Sequence, residues 1–235
     1  MRIHSLQHVS FEDAANIEVW AKKQGHAVSA TRLDRDEPFP PLASFDWLVI
    51  MGGPMNVDEH DRYPWLVREK RFVAEAIEAG KLVLGVCLGA QLAAAVLGGR
   101  VTRNAHKEIG WFPVSLSPEA SQSPVFRALP QRFLAFHWHG DTFSIPPGAR
   151  HMAQSEACAN QAFQYGDRVI GLQFHLDYSL ASIEKMIEHC GDELIDAPFI
   201  QSPPSVLADA QRVQTTQRLL DGLLEAMAGQ QGNRP

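Results

Sequence analysis

A cysteine with a glycine two residues away on either side is the most reactive-looking feature of the chain. Gly85-Val86-Cys87-Leu88-Gly89-Ala90-Gln91 follows the branched apolar run Leu82–Val86 and precedes the Ala/Leu-rich run Leu88–Leu97. A strand, a sharp turn and a helix fit that order. The turn would project the Cys87 side chain from the end of the strand, and the glycines would let other elements approach closely. The start of the helix carries orphan N–H groups and a positive dipole end, which stabilise a thiolate. The Leu88 N–H is then aimed at an oxyanion formed beside the sulfur. Those are the requirements of a cysteine nucleophile. Cys158 and Cys190 have no such setting and read as small buried or merely exposed thiols.

A nucleophilic cysteine needs a base, and the base needs an orienting group. Val169-Ile170-Gly171-Leu172-Gln173-Phe174-His175-Leu176-Asp177 offers both. The apolar stretch reads as a strand delivering His175 at its end. Asp177, two residues on, points to the same side of extended chain and can accept the imidazole N–H. The same residues also read as a surface histidine beside an aspartate that caps the helix following Tyr178-Ser179, and both readings stand at this point.

The elements that must position these groups alternate. Strands are expected at Arg2–Val9, His26–Leu33, Phe45–Met51 and Leu82–Val86. Helices are expected at Phe11–Gln24, after Pro64 with Gly80 as its stop, and at Leu88–Leu97. Such alternation argues for a mostly parallel central sheet covered on both faces, a three-layer α/β domain of flavodoxin-like outline. In that architecture ligands bind outside the carboxyl ends of the strands, which directs attention to Gly52-Gly53-Pro54 and to Cys87. Beyond Gly110 the texture changes to short strands at Trp111–Leu116, Phe133–Trp138, His151–Gln154, Ala162–Tyr165 and Val169–Phe174, read as a small antiparallel extension that returns to the sheet. Ile183–Cys190 reads as helical and Gly191–Pro204 as a loop. Apolar residues from Val206 to Met227 follow an amphipathic helical spacing, giving a C-terminal helix over about 205–228. A disordered tail is expected from Gly229 to Pro235. The 235 residues are read as a single domain, 1–235.

Composition removes several classes. The 21 basic and 27 acidic residues give a net charge of −6, with no Lys/Arg block, which disfavours nucleic acid and anionic membranes as partners. Three widely spaced cysteines make neither a disulfide framework nor a zinc motif and suit a reducing cytoplasm. The first twenty residues hold too many charged and polar groups for a signal peptide. Leu82–Gly99 has Gln91 as its only polar side chain, but four glycines interrupt it, so strand-turn-helix is preferred to a membrane span.

Taken together, the motifs resemble the class I glutamine amidotransferase family. Gly85–Gln91 matches its nucleophile motif, Gly171–His175 its Gly-x-Gln-Phe-His strand end, and Met51-Gly52-Gly53-Pro54 its glycine loop. The resemblance covers roughly residues 40 to 180. It is closest in texture to the stand-alone GMP-synthase-like branch, and the plant γ-glutamyl peptidases look similar. It implies a Cys87–His175–Asp177 triad that attacks the side-chain amide of glutamine, with the backbone N–H groups of Gly53 and Leu88 holding the oxyanion. A γ-glutamyl thioester would form, ammonia would leave, and water would release glutamate. By the same resemblance Gln91 would help hold the substrate, and Trp138, His139 and Asp141 would contact its amino-acid head group. No cofactor is implied. The substrate would be glutamine or another γ-glutamyl compound, and a separate synthetase or acceptor subunit would use the ammonia. A stand-alone γ-glutamyl peptidase and a catalytically silent metabolite-binding member are the alternatives.

The sequence departs from the family at one triad position. The family has Glu where this chain has Asp177, a side chain shorter by about 1.5 Å of reach, which predicts reduced or retuned activity. His137 and His139, two apart on an expected strand, invite a metal reading. His106 and His151 have no matching ligand spacing, so no metal site is expected. Trp65 and Trp138 are candidate pocket aromatics, while Trp111 is assigned to the core.

Overall fold

The computed structural model describes residues 1–230. Among the described residues, nine strands form one sheet: β1 (Arg2–Gln7), β2 (Ala27–Arg32), β3 (Trp47–Ile50), β4 (Leu82–Val86), β5 (Val101–Leu116), β6 (Arg132–Phe143), β7 (Ala149–Gln154), β8 (Ala162–Tyr165) and β9 (Val169–Leu172). Their order is β2-β1-β3-β4-β9-β8-β7-β5-β6. The pairings along β2-β1-β3-β4-β9 are parallel. Those joining β9, β8, β7, β5 and β6 are antiparallel. The expected mostly parallel sheet is therefore half of the truth: the sheet is mixed, and the antiparallel part is as extensive as the parallel one.

The reason lies in β5 and β6. The sequence between Val101 and Trp111 is polar and its alternation is weak, so only Trp111–Leu116 reads as strand. In the fold β5 is 16 residues long and pairs with β6 along nearly its whole length, the register shifting between Arg103 and Glu108. The mate supplies hydrogen bonds that no local pattern advertises.

Helices α1 (Ala15–Lys23), α2 (Trp65–Glu78), α3 (Leu88–Val96), α4 (Leu180–Cys190), α5 (Pro203–Leu207) and α6 (Ala210–Gly229) complete the chain. One apolar cluster joins Trp20 of α1 and Leu220, Leu223 and Leu224 of α6 to Trp47, Val49 and Leu84 of the sheet. A second packs α2 and α3 on the other residues of the same strands, Leu48, Ile50 and Val83. These strands are apolar at every position because both faces are covered. A third cluster sets Ile183 and Met186 of α4 against Ile109, Trp111 and Phe136. Trp111 is core as expected, its Nε1–H donating to the Val206 carbonyl at 2.9 Å.

Three helix boundaries differ from the sequence reading. The first helix begins at Ala15 rather than Phe11, which leaves Glu12 in the loop after β1. The helix after β9 starts at Leu180 under a Ser179–Ser182 capping box, so Ser179 caps it and Asp177 does not. The expected C-terminal helix is broken into α5 and α6, with Asp209 accepting from the Gln211 N–H at the restart. The last five residues of the expected disordered tail lie outside the described residues. Among the described residues no helix is long and apolar enough to cross a membrane.

Candidate active site

The carboxyl ends of β1, β3, β4 and β9 converge on one cavity. It is bordered by Glu12 after β1, Gly53 after β3, Cys87 after β4 and, from the antiparallel half, Trp138 and Asp141. Cys87 sits between β4 and α3 with φ 53° and ψ −110°, a conformation rare for a side-chain-bearing residue. Its flanking glycines are required by space. A Cβ on Gly89 would collide with the Ile50 carbonyl of β3, and one on Gly85 with the backbone of Gly89. The helix can therefore begin directly over the sheet edge, and its first N–H, that of Leu88, has no carbonyl within the helix to bind.

The glycine loop lies against this elbow. A Cβ on Gly53 would come within 3.0 Å of Leu88 Cδ2, and one on Gly52 within 3.6 Å of Cys87 Cβ and into the Glu12 carboxylate. A buried pair clamps the loop: His8 has Nδ1 2.9 Å from the Gly52 carbonyl and Nε2 2.8 Å from Glu69 Oε1. Burial opposes the His8 cation, but the Glu69 charge outweighs it and the ring titrates above its usual range.

His175 is buried at 1% exposure, so the surface-histidine alternative falls. Its Nδ1 is 3.1 Å from Asp177 Oδ1. Its backbone is pinned across to β6 by a two-way bridge with Phe136. The Tyr178 ring lies over it at 4.1 Å between centroids. Nε2 is buried and has no hydrogen-bond partner. Burial by itself disfavours the imidazolium. The Asp177 carboxylate and the adjacent Cys87 sulfur more than reverse that, raising the ring's pKa to about 10. The shorter Asp side chain thus reaches its histidine, because the chain bends sharply after β9 and the Asp177 carbonyl is tied to the Asn16 N–H at 3.1 Å. Its second oxygen, Oδ2, is buried without a partner.

The remaining expected site residues divide. Gly53 and Leu88 lie on either side of the elbow that carries the sulfur. Gln91 borders the cavity, donating to Gln173 Oε1 at 3.1 Å and to the Asp141 carbonyl at 3.4 Å. Trp138 offers its carbonyl to Cys87 Sγ at 3.7 Å and its indole N–H to Glu193 Oε1 at 3.4 Å. Asp141 accepts from Asn56 Nδ2 at 2.7 Å. His139 lies beside the cavity, but its ring is turned inward, with Nδ1 3.0 Å from the Asp141 carbonyl and Nε2 3.0 Å from Glu108 Oε2. Trp65 packs in the apolar core rather than at this cavity.

Sequence reading missed four contributors. Gln173 Nε2 lies 3.6 Å from Cys87 Sγ. Tyr178 donates its hydroxyl to Glu12 Oε2 at 3.0 Å. Burial raises the Glu12 carboxyl above its usual range, against the pull of His175 and Tyr178. Glu12 was legible in principle, since it follows a parallel strand at the edge where ligands bind. The fourth, Glu108, is the third donor that the His137/His139 metal reading lacked. Glu108, His137 and His139 are all buried, and one ligand atom of each lies within 4.8 Å of the others.

Fold and site together define an α/β protein with a cysteine at a strand-to-helix elbow, facing a histidine–carboxylate pair across a glycine loop. The chain belongs to the class I glutamine amidotransferase family, whose model matches residues 12–192. It is 35% identical over 209 residues to the glutamine amidotransferase-like protein YfeJ of Salmonella typhimurium, covering 86% of this chain and 87% of that one. It is 32% identical over 150 residues to one subunit of the glutamine-hydrolysing GMP synthase of Sulfurisphaera tokodaii, covering 63% of this chain and 76% of that one. A crystal structure of a glutamine amidotransferase from Thermotoga maritima superposes with a TM-score of 0.88 at 33% identity, covering 97% of each chain.

Proposed function

We propose that the protein cleaves the side-chain amide of glutamine through a thioester on Cys87, releasing glutamate and ammonia. The observation that carries this reading is the asymmetry of His175: Nδ1 is held by Asp177 at 3.1 Å while Nε2 stays unpartnered beside the Cys87 sulfur. A ring fixed in one tautomer and free at its other nitrogen is equipped to move protons.

In the first half-reaction the sulfur adds to the amide carbon. The developing oxyanion is received by the N–H groups of Gly53 and Leu88, whose residues pack against one another at the start of α3. The C–N bond breaks as His175 passes its Nε2 proton to the departing ammonia, leaving the γ-glutamyl thioester. In the second, His175 Nε2 takes a proton from water, the hydroxide adds to the thioester carbon, and the C–S bond breaks to give glutamate and the free cysteine. Asp177 keeps the imidazolium charge compensated in both halves. Gln91, Trp138 and Asp141 border the space left for the glutamyl head group.

The relative in Sulfurisphaera is by its name one subunit of a larger enzyme, which supports a separate synthetase protein as acceptor of the ammonia here. Three free cysteines fit a reducing compartment such as the cytoplasm.

The test is glutamate release from glutamine by the purified protein, with Cys87→Ala as control. Turnover that vanishes in the variant supports the reading. Absence of turnover by the wild type, alone and with γ-glutamyl amides in place of glutamine, overturns it.

A further inference from the structure

The polar cluster beneath the antiparallel half has no task in the reaction above. Glu108 of β5 stands directly across from His139 of β6 in the strand register, and His137 lies two residues away on the same face. The side chains of all three are at most 1% exposed. A carboxylate and two imidazoles withdrawn that far from water need a reason.

The hydrogen bonds pose a specific conflict. His139 Nδ1 is 3.0 Å from the Asp141 carbonyl, which can only accept, so Nδ1 carries a proton. A neutral His139 then turns the bare lone pair of Nε2 toward Glu108 Oε2, itself an acceptor, at 3.0 Å. Two facing acceptors at that distance require a proton, on the ring or on the carboxyl, or a metal cation between them. The second imidazole favours the cation. His137 Nδ1 is 3.8 Å from the same carboxylate oxygen and is as deeply buried, a second nitrogen donor aimed at the same point.

The spacing agrees. Gln161 brings its side-chain amide into the same cluster, with Nε2 2.6 Å from Glu108 Oε2, 3.4 Å from His137 Nδ1 and 3.5 Å from His139 Nε2. Its Oε1 is buried without a partner. Half a turn of the amide exchanges the two ends and presents an oxygen donor to the cluster. The distances from Glu108 Oε2 and Gln161 Nε2 to one another and to the two ring nitrogens run from 2.6 to 3.8 Å, and the ligand atoms of Glu108, His137 and His139 all lie within 4.8 Å of one another. Donors at zinc bonding distance on a tetrahedron are separated by about 3.3 Å. Turning the His139 Nδ1–H onto a backbone carbonyl is also the usual outer contact of a metal-bound histidine.

We propose that Glu108, His137, His139 and Gln161 form a closed, four-coordinate site for a divalent cation of the zinc class. The site clamps β5 to β6 and to the turn carrying Gln161. It thereby fixes the Trp138–Asp141 segment, whose backbone carbonyls meet Cys87 Sγ and Gln91 Nε2 on the cavity side. Its role is structural, since no open position faces the cavity.

The test reads metal content and does not depend on turnover. Cys87→Ala protein removes the nucleophile as a competing ligand. It is stripped with chelator, loaded with Zn2+ or Co2+, and dialysed. About one retained equivalent per chain, a higher melting temperature with Zn2+, and the visible absorption of four-coordinate Co2+ are expected. Glu108→Gln should lose the bound metal, whereas His60→Ala and His106→Ala, which alter other histidines, should keep it. If Glu108→Gln does not fold, His137→Gln is read in its place, and the Co2+ spectrum of the Cys87→Ala protein decides between a built site and loose surface binding. No retained metal and no Co2+ spectrum would overturn the proposal and leave a protonated His139 paired with Glu108. Undiminished metal in a folded Glu108→Gln protein would overturn it as well.

Discussion

Two buried histidine–carboxylate pairs stand at the same sheet edge and do opposite things. His8 and Glu69 are fully buried and 2.8 Å apart, and the other ring nitrogen of His8 is spent on the Gly52 carbonyl. His175 and Asp177 are as deeply buried and 3.1 Å apart, but the other ring nitrogen of His175 has no partner. Burial is the largest influence on both rings and opposes their charge, yet both titrate above the ordinary histidine value because a carboxylate and a second partner, the Gly52 carbonyl for His8 and the Cys87 sulfur for His175, together more than offset it. Burial, pairing and pKa direction therefore do not separate a fastening from a working base. The free nitrogen, and the cysteine beside it, are what distinguish the proposed base.

The largest test of that contrast exchanges the two losses. His175→Ala should reduce kcat by about 10⁴-fold or more and, by leaving Asp177 buried without its partner, lower stability as well. His8→Ala should likewise strip the partner from a buried carboxylate and destabilise the protein by about 3–5 kcal/mol, but the molecules that fold should keep turnover. Glutamate release and urea denaturation on both variants check this. An inactive but fully stable His8→Ala protein would break the distinction.

Asp177 sharpens the comparison next. Asp177→Asn should cost roughly 10³–10⁴-fold in kcat by releasing the His175 tautomer. Asp177→Glu, though it restores the residue usual in the family, should lower kcat by about 10–100-fold. The existing carboxylate already reaches Nδ1, and an extra methylene beside buried Oδ2 must displace its neighbours. Steady-state kinetics of the two variants side by side decide it. A gain in Asp177→Glu would show that the short side chain is a handicap after all.

A third histidine supplies the pH test. His4 is buried between the hydroxyls of Ser29 and Thr31 with no carboxylate, and burial lowers its pKa to about 4. Held neutral in the fold, it contributes stability that is present above pH 6.5 and lost as the pH falls toward 4. His175, raised to about 10, contributes in the opposite sense: its share is complete below pH 6.5 and is lost as the pH climbs toward 10. Melting temperature across pH should therefore fall on both sides, with the acid limb flattened in His4→Gln and the alkaline limb in His175→Ala.

The smallest effect concerns the ring over the base. Tyr178→Phe keeps the stacking on His175 and removes only the hydroxyl donated to Glu12, so a loss of about 1 kcal/mol of stability and a few-fold change in kcat are expected. A change of several hundredfold in kcat would make Glu12 and Tyr178 participants in proton movement rather than packing.

Legibility in the sequence tracked locality. The elbow at Cys87 was readable because its glycines, its apolar strand and its helix are contiguous. The segment after β9 left two readings open for the same reason: Asp177 and Ser179 are both good caps, and only the His175 ring, brought over by the bend, decides that Asp177 is used elsewhere. The long β5 escaped notice because its polar half is held by β6 and not by its own pattern. Glu108 escaped with it, and so did the third donor of the histidine cluster.

What the sequence determined by itself was the set of strand-end motifs, their order, and the placing of a cysteine at a strand-to-helix turn. Those properties depend on neighbours within a few residues, where backbone geometry and side-chain period act directly. The tertiary structure alone decided which histidine nitrogen is free, which carboxylate serves which ring, and how far the antiparallel half extends. Each of those is a contact between residues distant in the chain, and its energy exists only once burial has removed the water that would otherwise satisfy every group equally.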